Sequence, residues 1–293
     1  MKLVTYDAGR GPRAGVLVDE VIVDLNAASG GSLPPDMLML LNRPGTLEEI
    51  HRLLSDPGRD WSVPERASVV TLGQARLRAP IPRPGKVLAL GLNYREHAVE
   101  SAMELPAEPV VFCKASTSVI GPGDAIALPD VSRQVDYEVE LAFVMGRRAQ
   151  RVNAAQAMDY VAGYMVVNDV SARDYQHKPP AHQWYLAKSF DTFCPTGPWI
   201  VTSDEIPDPH NLKLTCEVSG QPLQCSNTSW MVFRIPEIIE YLTRVHTLEP
   251  GDVVATGTPA GVGAERTPPR FLHKGDVVRC TVERIGTLEN PVL

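Results

Sequence analysis

The stretch that most constrains this chain is Val135-Asp136-Tyr137-Glu138-Val139-Glu140-Leu141-Ala142-Phe143-Val144-Met145. Val139, Leu141 and Phe143 recur at every second position among other strand formers, which predicts a β-strand. Side chains alternate faces along a strand, so Glu138 and Glu140 share one face while Tyr137, Val139, Leu141 and Phe143 take the other. Neighbouring carboxylates on one face repel unless a cation stands between them. Two readings follow. The pair ligates a hard divalent cation through oxygen, or the strand is an edge strand with one wet, acidic face.

The remaining composition narrows the class. The chain has 293 residues, room for one large domain or a small one beside a larger. Its net charge of −7, with no basic run interleaved with aromatics, speaks against nucleic acid as a partner. No apolar run approaches the ~18 residues that a membrane span needs. The start, Met1-Lys2-Leu3-Val4-Thr5-Tyr6-Asp7, lacks the long apolar segment of a signal peptide. Cys113, Cys194, Cys216, Cys225 and Cys280 are scattered and never in C-x-x-C spacing, which fits reduced thiols inside a cell. A cytoplasmic protein is expected, with a mitochondrial address open if a transit segment has been removed.

Proline density marks one boundary. Arg78-Ala79-Pro80-Ile81-Pro82-Arg83-Pro84-Gly85 locks extended backbone and stops helices. It divides a small β-led N-terminal domain, residues 1–78, from a larger one, residues 79–293. In the first, residues 3–6, 14–18 and 21–25 read as strands, and 37–41 and 47–54 as helices, with Thr46 as N-cap of the second. In the second, strands are expected at 86–90, 109–114, 163–167, 199–202, 212–218 and 231–234. Helices are expected from Tyr94 onward, at 153–161 with Asn153 as cap, and at 236–244.

The remaining chemistry gathers near those elements. His97 and Glu100 lie three residues apart on one helix face, where a glutamate orients a histidine as a general base; a surface pair has the same spacing. Asp169 ends a strand just before Ser171-Ala172-Arg173-Asp174, which has the form of a capping box, so it is a ligand or a cap. Arg173 and Gln176 share a helix face and could grip a substrate carboxylate. His177-Lys178-Pro179-Pro180-Ala181-His182 reads as a rim loop. Lys188 stands among apolar residues, where desolvation lowers a lysine pKa and suits it to proton transfer; a surface lysine snorkelling to water fits the same setting. Residues 255–263 form a glycine-rich turn that could bring backbone amides and Thr258 to an anion. No Walker loop, Rossmann fingerprint, G-x-S-x-G elbow or H-E-x-x-H occurs.

In order and spacing these segments resemble the fumarylacetoacetate hydrolase family. The resembling residues are Gly91-Leu92-Asn93-Tyr94 with His97 and Glu100, Asp136 through Leu141, Asn168 through Asp174, Lys188 through Phe193, and Thr256 through Gly263. The N-terminal unit and Pro268-Pro269-Arg270-Phe271-Leu272 resemble one subgroup of it. The resemblance implies an α+β, β-dominated fold, a mixed β-roll or sandwich, as a homodimer. It implies Mg²⁺ or Mn²⁺ on Glu138, Glu140 and Asp169. His97, Glu100 and Lys188 become catalytic, and Tyr94, Arg173, Gln176 and Thr258 contact substrate. The implied substrate is a small 2-oxo or β-diketo acid reacting through an enolate stabilised by the metal. Carbon–carbon bond hydrolysis is the first expectation. Oxaloacetate keto–enol tautomerisation or decarboxylation is the alternative, and a catalytically silent ligand-binding relative the second alternative.

Overall fold

The computed structural model describes residues 1–58, 61, 68–180 and 182–293. The strand containing Glu140, Val139–Met145, is buried along its whole length. It pairs antiparallel with Val161–Asn168 on one side and with Val253–Ala255 on the other. A wet edge strand is thereby excluded. Its two faces enter two different cores: Leu141, Phe143 and Met145 one, Ala142 and Val144 the other. Truncating one such side chain, Phe143→Ala, would cost about 3–5 kcal/mol.

The sheet around it is mixed. Its main path runs Val69–Thr71, Val21–Asp24, Arg13–Val18, Lys2–Asp7, Cys194–Thr202, Val161–Asn168, Val139–Met145, Val253–Ala255, Val87–Gly91, Val110–Lys114. Val253–Ala255 and Val87–Gly91 run parallel. On one face lies a second, antiparallel sheet of Gln221–Asn227, Lys213–Val218, Val277–Val282 and Gly286–Pro291. Its Leu214, Val218, Val278 and Val282 pack into the core that holds Leu141 and Phe143. On the other face Leu3, Val16, Met37, Leu40 and Ile50 cover Ala142, Val144 and Val167. The fold is the β-dominated α+β roll that the sequence implied. We propose 78/79 as the domain boundary; across it the N-terminal strand Lys2–Asp7 pairs with Cys194–Thr202, Leu3 opposite Ile200.

Local chemistry moves several boundaries. The stretch 135–145 is interrupted: Val135–Asp136 pairs separately with Ser171–Ala172, and the strand resumes at Val139. Side chains replace the ladder there. The Tyr137 amide donates to Asp136 Oδ1 at 2.8 Å and the Glu138 amide to Asn168 Oδ1 at 3.0 Å. Ser171 is thus a strand residue and caps no helix; Arg173–Gln176 begins after Ala172 without a side-chain cap. The second N-terminal helix, Thr46–Leu54, starts after left-handed Gly45, so Thr46 is inside it. Asn153 does cap its helix, but Ala154–Tyr160 is a 3₁₀ helix. The strand expected at 231–234 is absent: only Met231 bridges, to Tyr94, because the Arg234 amide is taken by Glu237 at the start of Ile235–Val245. Two strands, Gln221–Asn227 and Gly286–Pro291, carry too little apolar alternation to be delimited from sequence, whereas Val277–Val282, which follows the glycine turn at Gly275, buries Val278, Cys280 and Val282 in alternation.

Candidate metal centre

The β-ladder assembles the acidic cluster. Val139 faces Asn168 in the antiparallel register, so the next residues outward, Glu138 and Asp169, also meet. The Asp169 amide donates to the Glu138 carbonyl at 2.9 Å. One carboxylate oxygen each from Glu138, Glu140 and Asp169 lie within 4.8 Å of one another, and all three residues are buried. Asp169 is therefore no helix cap.

Two ammonium groups bracket Asp169. Lys188, ending the helix Trp184–Lys188, donates to Glu138 Oε2 at 2.9 Å, Asp169 Oδ2 at 2.7 Å and Ser171 Oγ at 2.7 Å. Lys114, ending the strand Val110–Lys114, donates to Asp169 Oδ1 at 2.5 Å. Burial disfavours the Lys188 charge, but Asp169 and Glu138 outweigh it and hold its pKa above the ordinary value. The lowering expected from the apolar sequence around Lys188 does not occur. Burial likewise opposes the charge on Glu138, and Lys188 and Arg173 reverse that, leaving its pKa low. Glu140 goes the other way: burial, Asp169 and Glu138 together push it well up.

The donor set fits a divalent cation. Glu140 Oε2 accepts the Gly257 amide at 2.7 Å, but Oε1 has no hydrogen-bond partner among the described residues. An orphaned, buried carboxylate oxygen facing two more carboxylates is what a hard cation satisfies. Glu138, Glu140 and Asp169 are the residues that could hold it.

The glycine-rich turn does bind anions, and they are the chain's own. Gly257 holds Glu140. Gly263 and Ala264 donate to Asp136 at 2.7 and 3.0 Å. Gly261 donates to both oxygens of Glu100, at 2.9 and 3.0 Å. Glu100 stands 3.5 Å from His97 Nδ1 on the helix Arg95–Glu100. Ser226 Oγ adds a bond to Glu96 at 2.7 Å, so two carboxylates pin this helix over the centre.

Of the expected substrate contacts, Arg173, Gln176 and Thr258 line one cavity of about 430 Å³ with His97, Glu138 and Lys188. Arg173 is already committed: Nε donates to Asp136 at 2.9 Å and Nη1 to Gln176 at 2.8 Å, while Nη2 stands 2.7 Å from Glu138. Thr258 donates to the Val139 carbonyl at 3.0 Å and accepts from Gln224 at 2.8 Å. Tyr94 does not reach the cavity; it is fully buried in the core. A larger cavity, about 780 Å³, lies by residues 40–48 and 146–148, away from every candidate catalytic residue. Sequence reasoning missed Lys114 and the anchoring role of Asp136. A lysine sharing the Phe112 face of strand 110–114 was the available signal for the first.

Fold and cavity together define a β-roll protein with an acidic, lysine-bracketed centre under a pinned helix. The fumarylacetoacetate (FAA) hydrolase C-terminal family matches residues 86–293. The chain belongs to the fumarylacetoacetate hydrolase family, whose named members here are enzymes. It is 42% identical over 298 residues to "Oxaloacetate tautomerase FAHD2A, mitochondrial" of Bos taurus, covering 100% of this chain and 92% of that one. It is 42% identical over 306 residues to the fumarylacetoacetate hydrolase domain-containing protein 2 homolog of Dictyostelium discoideum, covering 100% and 97%. This is the subgroup that residues 268–272 resembled. Maleylpyruvate hydrolase from Sphingobium sp. SYK-6, solved with manganese(II) and pyruvate, superposes with a TM-score of 0.80 at 31% identity, covering 100% of this chain and 99% of that one.

Proposed function

We propose that this protein interconverts the keto and enol forms of a small 2-oxo acid, oxaloacetate first, using Mg²⁺ or Mn²⁺ held by Glu138, Glu140 and Asp169. The observation that carries this is the 42% identity, over the whole chain, to a relative named oxaloacetate tautomerase. Carbon–carbon bond hydrolysis, the first expectation from sequence, takes second place. It is favoured by the likeness to maleylpyruvate hydrolase at 31% identity.

The bound cation would supply Lewis-acid polarisation of a substrate oxygen. The chain's own residues do the rest. Lys188, kept charged by its carboxylate neighbours, donates a hydrogen bond to the oxygen on carbon 2. His97 takes a proton from carbon 3 in the keto-to-enol direction and returns one in the reverse direction. Glu100 orients the imidazole and is itself fixed by the Gly261 amide. Arg173 and Gln176 shape the cavity wall, and Thr258 closes it beside Val139. The helix Arg95–Glu100 places His97 at the cavity.

The homodimer belongs to this proposal, with light scattering as its measurement. So does the compartment: cytoplasmic was expected, and the Bos taurus relative is named mitochondrial. The deciding experiment follows oxaloacetate enol decay by ultraviolet absorbance, with pyruvate release in parallel, in Mg²⁺ and in chelator. Fast, cation-dependent enol loss without pyruvate supports the tautomerase. Pyruvate release points to decarboxylation, and inertness toward oxaloacetate with turnover of acylpyruvates to hydrolysis. Inertness toward all of them leaves a ligand-binding relative.

A further inference from the structure

Two lysines share one aspartate, and the structure distinguishes them. Lys114 comes from the strand Val110–Lys114, paired opposite Val87, and its side chain is 0% exposed. It donates to Asp169 Oδ1 at 2.5 Å and to the Val170 carbonyl at 3.2 Å. It does not line the cavity. Lys188 does line it, and its ammonium lies on Asp169 Oδ2 and Glu138 Oε2. Those oxygens belong to two of the carboxylates that converge within 4.8 Å.

We propose that Lys114 is the positioning residue of this centre: it fixes Asp169 by Oδ1, so that Lys188 can leave Oδ2 for the substrate without Asp169 turning. With Oδ1 tied, Asp169 offers a cation a single oxygen. The Val170 carbonyl on the same ammonium couples that orientation to the backbone right after the ligand. An aspartate held by Lys188 alone would lose its orientation whenever Lys188 moved. Lys114 touches neither substrate nor reacting atoms, so its effect is on geometry.

The proposal rests on reading Glu138, Glu140 and Asp169 as cation ligands. Mn²⁺ binding to the parent protein is therefore titrated first by calorimetry, and its absence would overturn that reading and this proposal with it. Given binding, Lys114→Met is expected to weaken Mn²⁺ by about 10-fold or more, the usual effect of losing a ligand's orienting partner, and Lys114→Arg to recover most of it. Lys188→Met, which leaves Asp169 Oδ1 held by Lys114, is expected to change Mn²⁺ affinity less than Lys114→Met does. Unchanged Mn²⁺ affinity in folded Lys114→Met would overturn the proposal, since a purely structural lysine would lower the melting temperature alone. Equal losses in Lys114→Met and Lys188→Met would overturn the division of roles. Should Lys114→Met fail to fold, Lys114→Gln replaces it, with Mn²⁺ affinity below the parent's expected and no change counting against the proposal.

Discussion

Asp169 lies across the antiparallel ladder from Glu138, its amide on the Glu138 carbonyl at 2.9 Å, so one backbone hydrogen bond sets the spacing of two carboxylates. Glu140, two residues along, brings its carboxylate to the same point. Glu138→Gln keeps the volume and removes one charge. Mn²⁺ affinity is expected to fall by more than the roughly 10–100-fold typical of losing an outer partner. Calorimetric titration checks it, and parental affinity would remove Glu138 from the centre.

Chelation should destabilise the protein as well as silence it. A cation at about 100 times its Kd stabilises the folded state by about 2.7 kcal/mol. The protein is expected to melt higher in saturating Mg²⁺ than in chelator, by differential scanning fluorimetry. Glu138→Gln should close most of that difference.

Gly261 has φ +102° and an added Cβ would meet the Leu223 carbonyl oxygen at 2.3 Å. Gly261→Ala is expected to cost about 1–3 kcal/mol in denaturant unfolding and to lower kcat by releasing Glu100. Gly123→Ala is the control: φ is +75° but nothing lies within 4 Å, so its cost is backbone strain only and kcat stays put.

Glu100 gives the fold an acid dependence. Burial raises its carboxyl, but the His97 and Gly261 hydrogen bonds bring it net below its ordinary 4.5. A depressed carboxyl stabilises fully above its unfolded pKa and loses that contribution as pH falls through the folded value. The stability gap between the parent and Glu100→Gln is expected to be constant well above pH 4.5 and to narrow below it. Urea unfolding across that range measures it; a gap widening toward acid would reverse the assignment.

Tyr94→Phe separates family likeness from geometry. Tyr94 is buried outside the cavity, so KM is expected to stay within about twofold of the parent. A larger rise in initial-rate assays would return Tyr94 to the substrate.

The sequence carried the carboxylates because the two-residue alternation is local and runs through the break before Val139: Tyr137 stays in one core with Val139 and Leu141, and Glu138 stays with Glu140. It also carried the i, i+3 spacing of His97 and Glu100. It carried neither Lys114 on Asp169, which are 55 residues apart, nor the commitment of Arg173 to Asp136, 37 residues away. Those meetings are set by strand order, and no local period encodes strand order. Lys188 misled for a related reason. Its apolar neighbours in sequence suggested desolvation alone, while its partners in space are two carboxylates that restore its charge.

The turn at residues 257–264 grips Glu140, Glu100 and Asp136 from three separate elements. It therefore works as a ruler. Its amides meet the three carboxylates only because they are spaced along the chain as they are, so its length matters as much as its composition. Removing one residue between Gly257 and Gly261 would leave the strands intact, yet the grip on Glu140 could then no longer hold together with those on Glu100 and Asp136.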